Sequence, residues 1–413
     1  MKCSERNRRR VHINRAVFWV QINRWFLALW AIALFAACPA EAVPVCPEGV
    51  LVKQPDGSFF SLYLRGDEYF SWTETAEGYP IVQDPSDGFW KYARPDANKA
   101  VFNPVAGARV GSSDPAALGP SGSLRLSRAV LDAERQARWK TVMATPVSLP
   151  LPAASESSSD EEEPPLPPEQ PIPVSGTKTI RNIVLLACFS NHWDSANGTV
   201  NASYGRVNVG EYSNLFNQVN HTSDGAVGSV RDYYSEVSYG KLTVDSRIAA
   251  WVQLPYNESY YGTNSPSTDA NWRQMISDAI NAADAAGFDF SQGDSDGDGW
   301  VDCLTVLHSG LGEEYSGNPS TCIWSKQGEM STVVSKDGVS MKRCHTEPAL
   351  RGWTGSTSII RIGTICHEMG HFFGLPDLYD YSATTSGLGS WSVMASGSWN
   401  GSTGSRPAHF CAY

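Results

Sequence analysis

Two histidines stand four residues apart in "CHEMGHFFGLPDLYD" (366–380), with a glutamate directly after the first. On a helix, residues four apart share a face. His367 and His371 can therefore offer imidazole nitrogens to one metal ion from successive turns. Glu368 lies beside the first of them, where its carboxylate can reach a water on that metal. Gly374 lets the chain leave the helix through positive φ, and Pro376 keeps the helix from resuming. The turn can then return Asp377 as a third, anionic ligand. Two imidazoles, one carboxylate and an open fourth position suit a catalytic zinc. The plain alternative is an amphipathic helix end with two incidental histidines. The glycine and the acid at these offsets weigh against it.

A second group of possible ligands is "DSDGDGWVD" (294–302). Asp294, Asp296, Asp298 and Asp302 stand at offsets 1, 3, 5 and 9 of an EF-hand loop, with Gly299 at 6. Position 12 is Thr305 rather than glutamate, and a strand pattern follows. A calcium-stabilised loop is therefore expected rather than an EF-hand. The alternative is a polar turn.

Elements must position these groups. "STSIIRIGTICHEMGHFFGL" (356–375) reads as the helix that carries both histidines. "TIRNIVLLACFS" (179–190) reads as a buried strand by its continuous apolar content. "GSVRDYYSEVSYGKLTVDSRIAAWVQL" (228–254) reads as a helix followed by strand. "DANWRQMISDAINAADAAG" (269–287) reads as an amphipathic helix closed by Gly287. "VDCLTVLHSG" (301–310) is another strand. Upstream, residues 43–100 alternate short apolar runs with turn signals and predict a small antiparallel β unit. Residues 124–143 suit a helix. Residues 145–176 are rich in Pro, Ser and acid without periodicity and read as a linker. The domains expected are a leader at 1–42, an N-terminal unit at 43–144, the linker at 145–176 and a catalytic domain at 177–413. The fold class expected is α+β, with a mixed sheet and a metal-binding helix behind a mostly β N-terminal unit.

The first 24 residues carry seven cations, and an apolar run, "WFLALWAIALFAA" (25–37), follows. "CPAEA" then gives small-x-small spacing, so cleavage after Ala42 and secretion are expected. Thirteen apolar residues are too few for a membrane span. Loss of 1–42 removes seven cations and two acids and takes the formal charge from −11 to −16. A chain that acidic is a poor nucleic-acid ligand. Seven cysteines remain, and Cys322 with Cys344 is the expected disulfide on sequence proximity. Sequons begin at Asn197, Asn201, Asn220, Asn257 and Asn400, so a glycoprotein is expected where the host glycosylates.

"HEMGHFFGLPDLYD" followed by "GLGSWSVMASGSWNG" (387–401) resembles the M6 metalloproteases, the immune-inhibitor-A-like secreted zinc endopeptidases. Their pattern is H-E-x-x-H-x-x-G-x-x-D. "GSVRDYYSEVSYGKL", "DFSQGDSDGDGWVD", "HSGLGEE" and "IWS" are similar to stretches of that family, and "VKQPDGSFFSLYLRGDEYF" looks like its pro-region. The resemblance implies a metzincin-like catalytic domain behind a pro-domain. It implies zinc on His367, His371 and Asp377, Glu368 as general base, and Met394 in a Met-turn beneath the metal. It implies protein or peptide substrates. The chain ends at "GSRPAHFCAY", where such relatives continue, so a C-terminally truncated catalytic domain is expected. Tyr379 and Tyr381 are both candidates for the oxyanion partner. For latency, Asp67 in "LRGDEY" resembles an aspartate switch of the astacin relatives. Cys46 as a thiolate and a plain hairpin turn at Gly66-Asp67 stay open beside it. Cys366 is expected as a small core residue. The alternatives to an enzyme are an inactive secreted binding protein with the same fold and a calcium-stabilised structural module.

Overall fold

Turn residues between positions 50 and 110 cut the chain into short strands that pair with their sequence neighbours. The structure is a computed structural model that describes residues 41–67, 70–127, 129–131, 133–134, 176–263, 269–316, 321–352, 355–380 and 385–411. They belong to one unit, Ala40–Tyr413. The first strand is β1 (Glu41–Ala42). Strands β2 (Val50–Lys53), β3 (Phe59–Gly66), β4 (Ser71–Glu74), β5 (Pro80–Gln83), β6 (Trp90–Pro95) and β7 (Phe102–Arg109) follow. Strands β2 to β7 form an antiparallel meander in sequence order. Leu62, Ile81, Tyr92 and Val110 fill its core. Of the helix expected over 124–143, residues 129–131 and 133–134 are helical. Leu124 instead ends a 3-10 turn and residues 125–127 are not helical, while residues 128, 132 and 135–143, the leader up to residue 40 and the linker up to residue 175 lie outside the described residues.

The second half begins with β8 (Lys178–Cys188), then the short pair β9 (Trp193–Asp194) and β10 (Thr199–Val200). Helices α1 (Val209–Asn217) and α2 (Val230–Val237) precede β11 (Leu242–Gln253). After them come α3 (Glu258–Tyr261), α4 (Trp272–Ala285), β12 (Cys303–Leu311), α5 (Glu313–Ser316), β13 (Lys326–Lys336), β14 (Val339–Leu350) and α6 (Ile362–Phe372). The sheet order is β1-β13-β14-β12-β8-β11. Strands β11, β8, β12 and β14 run parallel, while β13 and β1 are antiparallel to their neighbours. Helices and a mixed sheet make the chain α+β.

Strand β8 shows why the sheet is buried on both faces. Its side chains alternate at period two. Ile180, Val184, Leu186 and Cys188 enter one core with α1, α2 and α6. Ile183, Leu185 and Ala187 enter the other, with α4. A continuous apolar run is what a strand covered on both sides requires. Helix α4 meets its core through Trp272, Met275, Ile276, Ala279, Ile280 and Ala283, at helical spacing. Helix α2 opens on a capping box in which Ser229 and Asp232 satisfy each other's backbone N–H groups.

Two sequence expectations change, and one hairpin is new. The helix expected over 356–375 starts only at Ile362, because Ile359 is held in an antiparallel bridge with Leu350. The hairpin β13–β14 was not read from the sequence, although Asp337-Gly338 marks its turn. Both residues have positive φ, 52° and 81°, as a tight hairpin connection needs. Cys322 and Cys344 do not bond to each other. The Cys344 thiol lies in the ladder and donates to the Gly328 carbonyl at 3.7 Å.

Candidate metal centre

All eleven residues of α6 are buried, so the helix lies inside the molecule and its histidines are shielded from water. Neighbouring elements hold it from several sides. The Tyr234 hydroxyl on α2 donates to the Cys366 carbonyl at 2.9 Å. Arg343 on β14 donates to the Phe372 carbonyl at 2.7 Å, at the helix C-terminus, where a cation also complements the helix dipole. Beneath the helix, Met394 lies so close that a Cβ on Gly370 would stand 2.5 Å from its sulfur. The glycine inside H-E-M-G-H is therefore a packing requirement. Gly374 leaves the helix at φ 85°.

The turn brings Asp377 back as the spacing predicts. His367 Nε2 and His371 Nε2 lie 3.0 Å apart. An Asp377 oxygen lies 3.1 Å from the first and 3.3 Å from the second. Tetrahedral zinc with donors at about 2.0–2.1 Å would space them by about 3.3 Å. The other ring nitrogens fix the tautomers. His367 Nδ1 lies 2.7 Å from the Val393 carbonyl and His371 Nδ1 2.7 Å from the Leu375 carbonyl. A carbonyl only accepts, so each Nδ1 carries the proton and each Nε2 turns a lone pair to the centre. Two lone pairs and a carboxylate facing one another suit a cation.

Glu368 is fully buried beside this cluster. Its Oε2 has no hydrogen-bond partner among the described residues. Burial, opposed by His371 and reinforced by Glu347 and Asp377, holds its carboxyl well above the usual range. Its Oε1 accepts the Val43 backbone N–H at 2.7 Å, across 325 residues of sequence. Met394 is buried in the core that α6 shares, and its carbonyl accepts the Leu378 N–H at 2.7 Å. Cys366 is buried there too.

The latency candidates stand elsewhere. Asp67 is buried, accepts the Phe70 N–H at 3.1 Å across its own turn, and is not a member of the metal-ligand cluster. Burial pushes the Cys46 thiol up to about 12, and Cys46 is not a member of that cluster either. The backbone N–H of Val43 meets Glu368 instead. Tyr379 follows the Asp377 turn half-buried, and Tyr381 lies outside the described residues.

The acidic loop comes together in part. Asp294, Asp296 and Asp302 cluster, but Asp298 does not join them and accepts the Trp300 N–H at 2.8 Å. Backbone donors already meet the others. Asp294 accepts from Gly297 and Gly299, and Asp302 from Arg181. Lys178 pairs with Asp296 at 3.3 Å.

Sequence reading missed Tyr234, Arg343 and Val43. The adjacent tyrosines of "RDYYSEV" were the one available signal for the first. Nothing local marks the other two, because their contacts are made by the sheet.

Pre-pro-metalloprotease PrtV of Vibrio cholerae serotype O1 is 32% identical over 209 residues, covering 45% of this chain and 23% of its own length. Immune inhibitor A of Bacillus thuringiensis subsp. alesti is 30% identical over 210 residues, covering 45% of this chain and 31% of its own. The chain thus matches less than a third of the length of these relatives. The family described as Immune inhibitor A peptidase M6, catalytic domain, matches residues 176–413. By that match, over more than half of its length, this chain belongs to the M6 peptidase family.

Proposed function

We propose that this chain is a secreted zinc endopeptidase that hydrolyses peptide bonds of proteins. The observation that carries the reading is the fixed pair of Nε2 lone pairs facing the Asp377 carboxylate. His367, His371 and Asp377 hold the metal, and the carbonyls of Val393 and Leu375 keep the two rings in orientation. Zinc bound there supplies Lewis-acid activation of a water and of the scissile carbonyl. Glu368 takes the proton of the attacking water and returns it to the leaving nitrogen. Its burial keeps bulk water from competing for that proton. Met394 forms the floor under the ligands, as in a metzincin-type catalytic domain over 177–413. The basic and apolar leader supports export, and no described helix is long and apolar enough to cross a membrane.

Residues 43–144 act as a pro-domain on this reading. The segment 41–46 covers Glu368: β1 pairs with the β13 edge and Val43 binds Glu368, and on this reading the leader is cut before Glu41 rather than after Ala42, so that Val43 keeps its peptide N–H. Latency then comes from a backbone strand laid over the base rather than from Asp67 or Cys46. Calcium, on Asp294, Asp296 and Asp302, stiffens the loop between α4 and β12.

Elemental analysis tests the metal. One zinc per chain is expected, and His371→Ala should lose it. Full retention of zinc in His371→Ala would show that the ion sits elsewhere.

A further inference from the structure

The strand over the base is held through backbone groups that any peptide possesses. Val43 N–H donates to Glu368. The Val43 carbonyl accepts from Trp324 Nε1 at 2.7 Å, and the Pro44 carbonyl from Trp399 Nε1 at 2.9 Å. Cys46 N–H donates to the Glu314 carbonyl at 3.1 Å. On the other side, Glu41 and Ala42 pair antiparallel with Gln327 and Lys326 of β13. The Val43 side chain is fully buried in a cluster with Tyr315, Trp324 and Trp399. When the segment leaves, two buried indole donors lose their acceptors, and an edge strand loses its partner. Both can be satisfied again by an extended peptide.

Glu368 fixes the register. It is the group that returns a proton to the leaving nitrogen, so the nitrogen 2.7 Å from its Oε1 marks the leaving position. Residue 43 then stands for the first residue after the scissile bond and residue 44 for the second. Residues 41 and 42 stand for the acyl side.

We infer that Trp324 and Trp399 anchor the first two carbonyls on the leaving side of the substrate. The pocket of Tyr315, Trp324 and Trp399 selects an aliphatic residue directly after the scissile bond. This rests on the endopeptidase reading and adds its substrate preference. Tyr315 and Trp399 meet edge to face at 5.0 Å, so two aromatic walls shape a slot. A charged residue there would lose its water without gaining a partner. The enzyme therefore prefers extended peptides with Val, Ile or Leu at that position.

The test uses the full chain. Val43→Asp places a charge in the slot and frees the cleft, and Glu368→Gln in the same chain removes turnover. A fluorescent peptide with the sequence of residues 40–47 should bind that double variant. Adding Trp324→Phe or Trp399→Phe keeps the ring and removes the donor. Each should weaken binding about tenfold, the scale of one buried hydrogen bond. The same peptide with Asp in place of Val43 should not bind. In the parent chain, Trp324→Phe should also speed hydrogen exchange of the Val43 amide. Peptide affinity and exchange unchanged by both Phe substitutions would overturn the anchors. With Glu368 restored, zinc-loaded Val43→Asp should cleave a peptide library before Val, Ile or Leu. Cleavage without that preference overturns the slot and leaves the enzyme reading intact. Peptide binding without any cleavage keeps the cleft and overturns the enzyme reading.

Discussion

At Gly370 the helix Ile362–Phe372 and Met394 come into close contact. Alanine is the better helix former by about 1 kcal/mol. Here its methyl would stand 2.5 Å from the Met394 sulfur and 3.2 Å from Phe410. Overpacking of a dense core costs about 1–3 kcal/mol, so the clash decides the sign. Gly370→Ala should lower the melting temperature and weaken zinc binding, and Met394→Ala in the same chain should restore part of both. A melting temperature at or above the parent's would mean that Met394 moves aside freely. At this scale the sequence was most informative. His367, Glu368, His371 and Asp377 lie within eleven residues, where helical period and one turn decide who meets. The Val43–Glu368 contact spans 325 residues and leaves no local pattern.

Between elements, the link of α3 to β8 and β12 is sensitive to pH. Glu258 on α3 lies 3.9 Å from His192, whose other nitrogen is 3.0 Å from Ser309 Oγ on β12. Burial raises the Glu258 carboxyl to about 8 from an ordinary 4.5. The folded state therefore holds a proton that the unfolded chain releases. Its contribution is full below about 4.5 and is lost as pH rises through 8. Burial lowers His192 to about 4 from 6.5. The unfolded chain binds that proton first, so stability is full above 6.5 and is lost as pH falls through 4. Stability should thus decline on both sides. Glu258→Gln keeps the neutral shape and should flatten the alkaline limb in a melting-temperature series, leaving the acid limb. An unchanged alkaline limb would assign it to other groups. Element types were legible where apolar period was strong, as in β8 and α4. The β13–β14 hairpin was missed although Asp337-Gly338 marks it, and the bridge at Ile359 delays α6 through a long-range pairing.

The molecule as a whole joins a meander, a mixed sheet and a metal helix. The break in composition at 145–176 made the two β-containing parts readable, but not that Glu41–Ala42 would become the edge of the second sheet. The acidic loop bears on overall stability. Asp294, Asp296 and Asp302 gather without Asp298, and Lys178 already offsets one charge. An ion that binds only the folded state stabilises it by mass action. Calcium added to stripped protein at fixed zinc should raise the melting temperature, and Asp302→Asn should reduce that rise. No rise in the parent would leave the loop a polar turn.

The central claim is that Glu368 serves as the base at a zinc centre built by His367, His371 and Asp377. Its most direct test is peptide hydrolysis by the zinc-loaded Val43→Asp chain with and without Glu368→Gln, zinc content being determined on both. The account predicts one zinc in each and a loss of about 10²–10⁴ in kcat with the amide, the usual worth of general acid–base catalysis. Near-parent hydrolysis by the Glu368→Gln chain with its zinc in place would contradict it.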